Sequence, residues 1–203
     1  MISKKTFFLS ITTLLITILS YFYVDQYVAQ WCRIHLTQNE KETFLFITKF
    51  GESTFYLIGF AMAALLFHYY WKHPVWRNRF LFLFTAVAVS GILAIIIKVI
   101  AGRYRPSELF ELGMYGFDFF RLDRALTSFP SGHTATAFSL AMAITYVWPK
   151  FSALAWTAAI AIGISRIAIG AHYPSDVLGG ALTGILSVSL IMYYWKQKPA
   201  LVF

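Results

Sequence analysis

Three stretches of this chain, Thr6–Val24, Ser53–Trp71 and Phe80–Ile97, carry no formal charge from end to end. Each is close to the length of roughly 20 apolar residues that crosses a hydrocarbon core about 30 Å thick. In lipid a backbone must satisfy its own hydrogen bonds, so such a run is a helix. Three further runs follow, Thr134–Trp148, Phe151–Ser165 and Val177–Trp195. The first two of these are shorter before a charge intervenes, and each extends at one end into uncharged or weakly polar sequence. The expected fold is therefore all-α, a polytopic membrane helical bundle with six transmembrane helices, taking in residues 1–203 as a single integral-membrane domain. Composition agrees: charged residues make up 13% of the 203 positions, against about 25% in an ordinary soluble domain. This excludes disorder, a coiled coil and most soluble enzymes. The lone cysteine, Cys32, cannot form an internal disulfide.

The net charge of +8 would point to nucleic acid in a soluble protein, but its distribution argues otherwise. With the N-terminus lie Lys4, Lys5, Lys72, Arg77, Arg79, Lys150, Lys196 and Lys198, and no carboxylate. The opposite face holds the nine remaining basic residues and all nine acidic ones. A count of Lys and Arg is nearly balanced between the faces. If several of the outer basic groups serve chemistry, the remainder places both termini in the cytoplasm and that opposite face outside the cell membrane. The first run resembles a signal peptide in having Lys4 and Lys5 ahead of it. However, it is long for that role, lacks an Ala-x-Ala site, and ends in the interfacial aromatics Tyr21, Phe22 and Tyr23. It reads as a retained helix.

Three polar clusters interrupt the apolar background, all on the predicted outer face. Lys98 through Arg105 and Pro106 closes the third span; Pro130, Ser131, Gly132 and His133 open the fourth; Ser165, Arg166, His172 and Asp176 join the fifth to the sixth. Each has a plain structural reading. Lys98 and Arg105 can snorkel from a helix end. Ser131 can cap a helix, and Asp176 suits a helix N-terminus after Pro174. Arg166, set back from its helix end, is harder to explain this way. Ionisable groups at a membrane edge are costly, so three segments delivering them to one face indicate function.

The residue types narrow the chemistry. Arg forks and a Lys point charge match a phosphate, and backbone N–H groups at Ser131–His133 add a helix-terminus contribution. Two histidines can divide a displacement at phosphorus, one attacking and one protonating the leaving oxygen. A nearby carboxylate would orient the attacking ring. Metal ligation by the His/Asp set competes with this reading and is disfavoured by the convergence of so many cations. A binding or transport protein for an anionic solute is the rival from another class.

Lys-x6-Arg-Pro, then Pro-Ser-Gly-His, then Ser-Arg-x5-His-x3-Asp, as they stand at Lys98–Pro106, Pro130–His133 and Ser165–Asp176, resemble the three-part signature of the type-2 phosphatidic acid phosphatase superfamily. The resemblance implies a metal- and cofactor-independent phosphatase working through a phosphohistidine. By position, His172 would be the nucleophile, Asp176 its orienting partner, and His133 the general acid and then base. Lys98, Arg105 and Arg166 would hold the phosphoryl oxygens, with Ser131 and Gly132 contributing. The six spans favour the membrane lipid-phosphatase branch, with the site at the extracytoplasmic surface and a membrane lipid phosphate or diphosphate as substrate. Undecaprenyl diphosphate and a glycerophospholipid phosphate, such as phosphatidylglycerol phosphate or phosphatidic acid, stand level. A lipid A 1-phosphate comes next, and a lipid phosphotransferase would use the same residues. No nucleic-acid partner is expected.

Two further features bear on architecture. The segment from Glu108 to Leu126 mixes aromatics with charges, an interfacial composition that fits either a lid at headgroup level or a loop packed on the bundle. Gly180 and Gly184 in the last span suit close helix contact within the bundle, a dimer seam being the alternative.

Overall fold

The computed structural model describes residues 4–121 and 123–195; Lys196 and Lys198 of the N-terminal face, and Leu122 within the Glu108–Leu126 segment, lie outside the described residues. The helices, in chain order, are α1 (Lys4–Tyr23), α2 (Asp25–His35), α3 (Gln38–Thr48), α4 (Ser53–Tyr69), α5 (Pro74–Ala101), α6 (Pro106–Leu112), α7 (Gly132–Val147), α8 (Ser152–Ala168) and α9 (Pro174–Trp195). Among the described residues, extended pairing is confined to isolated bridges of Arg103 with Phe117 and with Thr127.

The all-helical membrane fold is as expected, and each of the six apolar runs falls on a helix. Four helical stretches are long and apolar enough to cross a membrane unaided: Gln38–Tyr69, Pro74–Ala101, Pro149–Ala168 and Pro174–Trp195. A fifth is reached by joining Phe8–Tyr23 of α1 to α2 across a 64° bend. The remaining run, α7, has 16 residues, short of the roughly 20 that a span requires. Residues 25–52, which join the first two apolar runs, are mostly helical. The Thr37 side chain and the Glu40 carboxylate form a reciprocal capping box that starts α3, and α3 runs on through a 3₁₀ turn into α4.

α7 is short because it is the centre of the bundle. One core cluster packs Phe82, Leu83 and Ala86 of α5 against Ala143 and Val147 of α7 and Val188, Ile191 and Met192 of α9. A second joins Ala137 and Ala141 of α7 to Ala159 and Ile162 of α8. Ser90 on α5 donates to Ser139 on α7 at 3.0 Å, and both are fully buried. The periphery is apolar instead: Phe8, Leu15 and Phe22 of α1, Phe55 and Met62 of α4, and Ile92 and Ile95 of α5 are all exposed. Such a surface is suited to lipid rather than water.

The two glycines expected to serve packing do so inside the bundle. A Cβ at Gly180 would come 2.5 Å from the carbonyl oxygen of Ser131, and one at Gly184 would come 2.5 Å from that of Ala135. The backbones of α7 and α9 therefore touch directly. The Glu108–Leu126 segment divides between its two readings. Tyr115 and Phe117 pack on Tyr21 of α1, whereas Leu112, Phe119 and Phe120 remain exposed.

Candidate active site

The three sequence clusters converge at one end of the bundle. α5 places Lys98 in its last turn and stops at Gly102, whose φ of 56° is open to glycine at little cost. A Cβ there would collide with the carbonyl of Asp118, and the Asp118 N–H donates to Gly102 O at 2.7 Å. This turn sends Arg103 into the protein interior and Arg105 toward the end of the bundle. The Lys98 ammonium donates to the Thr127 carbonyl at 2.5 Å. Arg105 donates from Nε to Arg124 O at 2.8 Å and from Nη1 to Ala171 O at 3.4 Å. Burial and the neighbouring Arg124 hold its guanidinium below the ordinary value, against the pull of Asp176.

Ser131 occupies the N-cap position of α7, with Gly132 and His133 in the first turn. The N–H of Ser131, expected to be free for an anion, is committed: it donates to the Asp176 carbonyl at 2.9 Å. Its hydroxyl accepts from Thr134 Oγ1 at 2.9 Å rather than capping the helix. The first of these bonds ties the start of α7 to the start of α9. His133 Nε2 stands 3.7 Å from Oε2 of Glu52, the residue that precedes α4.

Arg166 lies in the last turn of α8 and donates from Nη1 to Thr48 Oγ1 at 2.8 Å. His172 sits in the connection to α9, and its Nδ1 is 3.5 Å from Asp176 Oδ2, a long contact rather than a full hydrogen bond. Asp176, fully buried, accepts at Oδ2 from the Ser128 hydroxyl at 2.6 Å and from the Tyr173 N–H at 2.8 Å. Burial drives the His172 imidazole down to about 3, with Asp176 pulling upward and Lys98 and Arg166 pushing further down. The ring is therefore neutral at ordinary pH, with Nδ1 turned to the carboxylate and Nε2 left for another partner.

The predicted set is thus one electrostatic unit. Lys98 is coupled to Arg105, Arg166 and Asp176, and His133 to Lys98, Arg105 and Arg166. Among the described residues, four of the buried side-chain polar atoms without a hydrogen-bond partner belong to this region: Arg103 Nε, Arg166 Nε, His172 Nδ1 and Tyr173 OH.

Several contacting groups escaped the sequence reading. Arg103 stood inside the first motif, yet nothing in its spacing marks it as the buried arginine. Asp25, Thr48 and Glu52 lie far upstream, between the first two apolar runs. The capping-box pattern Thr37-x-x-Glu40 was the available signal that this stretch is structured.

A polytopic helical membrane protein with a cationic, two-histidine centre at one end of its bundle is the class that these features define. Residues 79–200 match the PAP2 superfamily, and the chain belongs to that family. It is 40% identical over 103 residues to the lipid A 1-phosphatase of Rhizobium etli, a match covering 51% of this chain and 44% of that protein. It is 34% identical over 140 residues to the bacitracin transport permease protein BcrC of Bacillus licheniformis, covering 66% of this chain and 64% of the relative. The chain spans about half the length of the curated relatives it matches. The crystal structure of a transmembrane PAP2-type phosphatidylglycerolphosphate phosphatase from Bacillus subtilis has the same fold, with a TM-score of 0.67 at 21% identity over 93% of this chain and 96% of that one.

Proposed function

We propose that the protein is a membrane phosphatase that removes a phosphate from a lipid phosphate or diphosphate at the extracytoplasmic surface through a phosphohistidine intermediate. The observation that carries this reading is the buried His172, backed by Asp176 and acted on by Lys98 and Arg166, with Arg105 donating to the carbonyl of the adjoining Ala171. In the first step Nε2 of His172 forms a bond to phosphorus as the bond to the leaving oxygen breaks. His133 gives its proton to that oxygen. In the second step His133 takes a proton from water, whose oxygen attacks phosphorus and releases phosphate and the imidazole. Lys98, Arg105 and Arg166 hold the equatorial oxygens, where charge accumulates in the transition state. Ser131 and Gly132 shape the turn that carries His133. No cofactor enters either step. Both termini lie in the cytoplasm.

The named activities of the relatives support a substrate with its phosphate on a lipid head. The lipid A 1-phosphatase likeness raises a lipid A 1-phosphate to stand beside undecaprenyl diphosphate and the glycerophospholipid phosphates. The test is phosphate release by detergent-purified protein in excess EDTA from all three classes, with wild type and His172→Ala side by side. Release by wild type that is lost in the variant is the expected result, and the rank order of lipids assigns the substrate. Phosphate appearing on a second lipid instead of in solution would make the protein a phosphotransferase. Phosphate binding without turnover, unchanged in His172→Ala, would overturn the reading in favour of an anion-binding protein.

A further inference from the structure

We propose that Asp25 and Arg103 form a positioning pair that sets both the orientation and the effective charge of Asp176; this rests on the phosphohistidine reading above. Arg103 is fully buried and spans two carboxylates. Nη1 donates to Asp176 Oδ1 at 2.5 Å and Nη2 to Asp25 Oδ2 at 2.6 Å. The guanidinium carbon lies 4.6 Å from the ring centre of Tyr173 and 5.1 Å from that of Tyr21, with Phe117 and Tyr115 completing an aromatic collar. Asp25, at the bend between α1 and α2, is equally buried. It accepts from Ser20 Oγ and from the Ser175 N–H, each at 2.9 Å, and from the Ser175 hydroxyl. Ser175 in turn accepts from Arg103 Nη1 at 2.6 Å.

Geometry comes first. Arg103 occupies Oδ1 of Asp176, while Ser128 and the Tyr173 N–H occupy Oδ2, the oxygen that faces His172. The carboxylate is pinned at both ends and presents one oxygen to the ring. Rigid support of this kind keeps a reacting group in its productive orientation.

Charge gives Asp25 its purpose. A single guanidinium against Asp176 alone would neutralise it. With two carboxylates sharing one guanidinium, the buried trio keeps a net charge of −1. When His172 Nε2 bonds to phosphorus, the ring becomes cationic, in a place where Lys98 and Arg166 already oppose positive charge. The surplus negative charge of the trio lies on the far side of the ring and offsets that gain. Asp25 thus acts on the nucleophile through two intermediaries and touches neither substrate nor imidazole.

The experiment compares Asp25→Asn with wild type and His172→Ala in steady-state hydrolysis and in the yield of acid-labile phosphoenzyme, which counts competent sites. Asparagine keeps the shape of Asp25 and removes its charge. The expected result is kcat per competent site lower by about 10- to 100-fold, in the range found for outer-shell partners, with KM within about twofold. Wild-type kcat per site, or a loss explained wholly by fewer competent sites, overturns the proposal. Should Asp25→Asn not fold, Arg103→Lys decides: it keeps the charge balance but loses the fork, and wild-type kcat in that variant overturns the proposal equally. Activity surviving in His172→Ala would instead defeat the phosphohistidine reading itself, whatever Asp25→Asn does.

Discussion

Substituting Gly184 tests whether the contact between α7 and α9 holds the site together. Gly184 sits eight residues after Asp176 on α9, about 12 Å along the helix axis, and is far from any reacting group. A Cβ there would come 2.5 Å from Ala135 O and 2.8 Å from Ser139 N, both backbone atoms of α7 that no rotamer change can move. Restoring ordinary contact requires the helices to part by about 1 Å, in an interior packed at crystal density. Overpacking of this kind costs about 1–3 kcal/mol. α9 carries Asp176 and α7 carries His133, joined at their starts by the Ser131–Asp176 bond, so the same displacement propagates to the site. A misplacement of about 1 Å can cost on the order of 100-fold in rate. The variants Gly184→Ala and Gly184→Leu would be purified in detergent and assayed for phosphate release, thermal unfolding and oligomer size. A graded loss of both activity and Tm, larger for Leu, at unchanged oligomer size is expected. Wild-type activity and Tm in Gly184→Leu, or an effect confined to oligomer size, would refute the reasoning and make the glycine stripe a seam between copies.

Two other outcomes follow from the site. His172 keeps a pKa of about 3 in the fold, against about 6.5 in an unfolded chain. Below pH 6.5 the unfolded state therefore binds a proton that the fold refuses, so the stability present above that pH declines as pH falls toward 3. Relative to His172→Gln, wild type should lose Tm steadily from pH 7 to 4.5; parallel curves would contradict the buried neutral ring. Thr48→Val removes the acceptor that holds Arg166 Nη1 at 2.8 Å. A hydrogen bond to a charged group contributes about 1.5–3 kcal/mol, so kcat/KM should fall by about 10- to 150-fold; an unchanged value would mean that Thr48 does not position Arg166.

The part of the site legible in the sequence is the part whose members share a helix end. Lys98 with Arg105, Ser131 with His133, and His172 with Asp176 are each fixed by local spacing, and the cost of polar groups in an apolar chain made them conspicuous. What escaped notice depends on contacts across the chain. Asp25 meets Ser175 from 150 positions away, and Thr48 meets Arg166 from 118. Nothing local distinguishes Arg103, which turns inward after Gly102, from Arg105, two residues on. The membrane helices were legible from their lack of charge. α2 and α3 were not, because Arg33, Glu40, Lys41 and Glu42 give them the look of connecting chain. The brevity of α7 also has a physical basis that no hydropathy count supplies, since a helix surrounded by other helices has no need to match the thickness of lipid.

The bend between α1 and α2 has a consequence for inheritance. The segment recognisable as PAP2 runs over residues 79–200, yet Asp25, Thr48 and Glu52 reach Arg103, Arg166 and His133 from outside it. The border of what sequence comparison recognises cuts through the candidate site instead of around it. A chimera that joins this chain's last five helices to the leading helices of a relative would carry every motif residue intact and still present arginines cut for other partners. Exchanges between members of the family should succeed only when the upstream helices travel with the downstream motifs that they were fitted to.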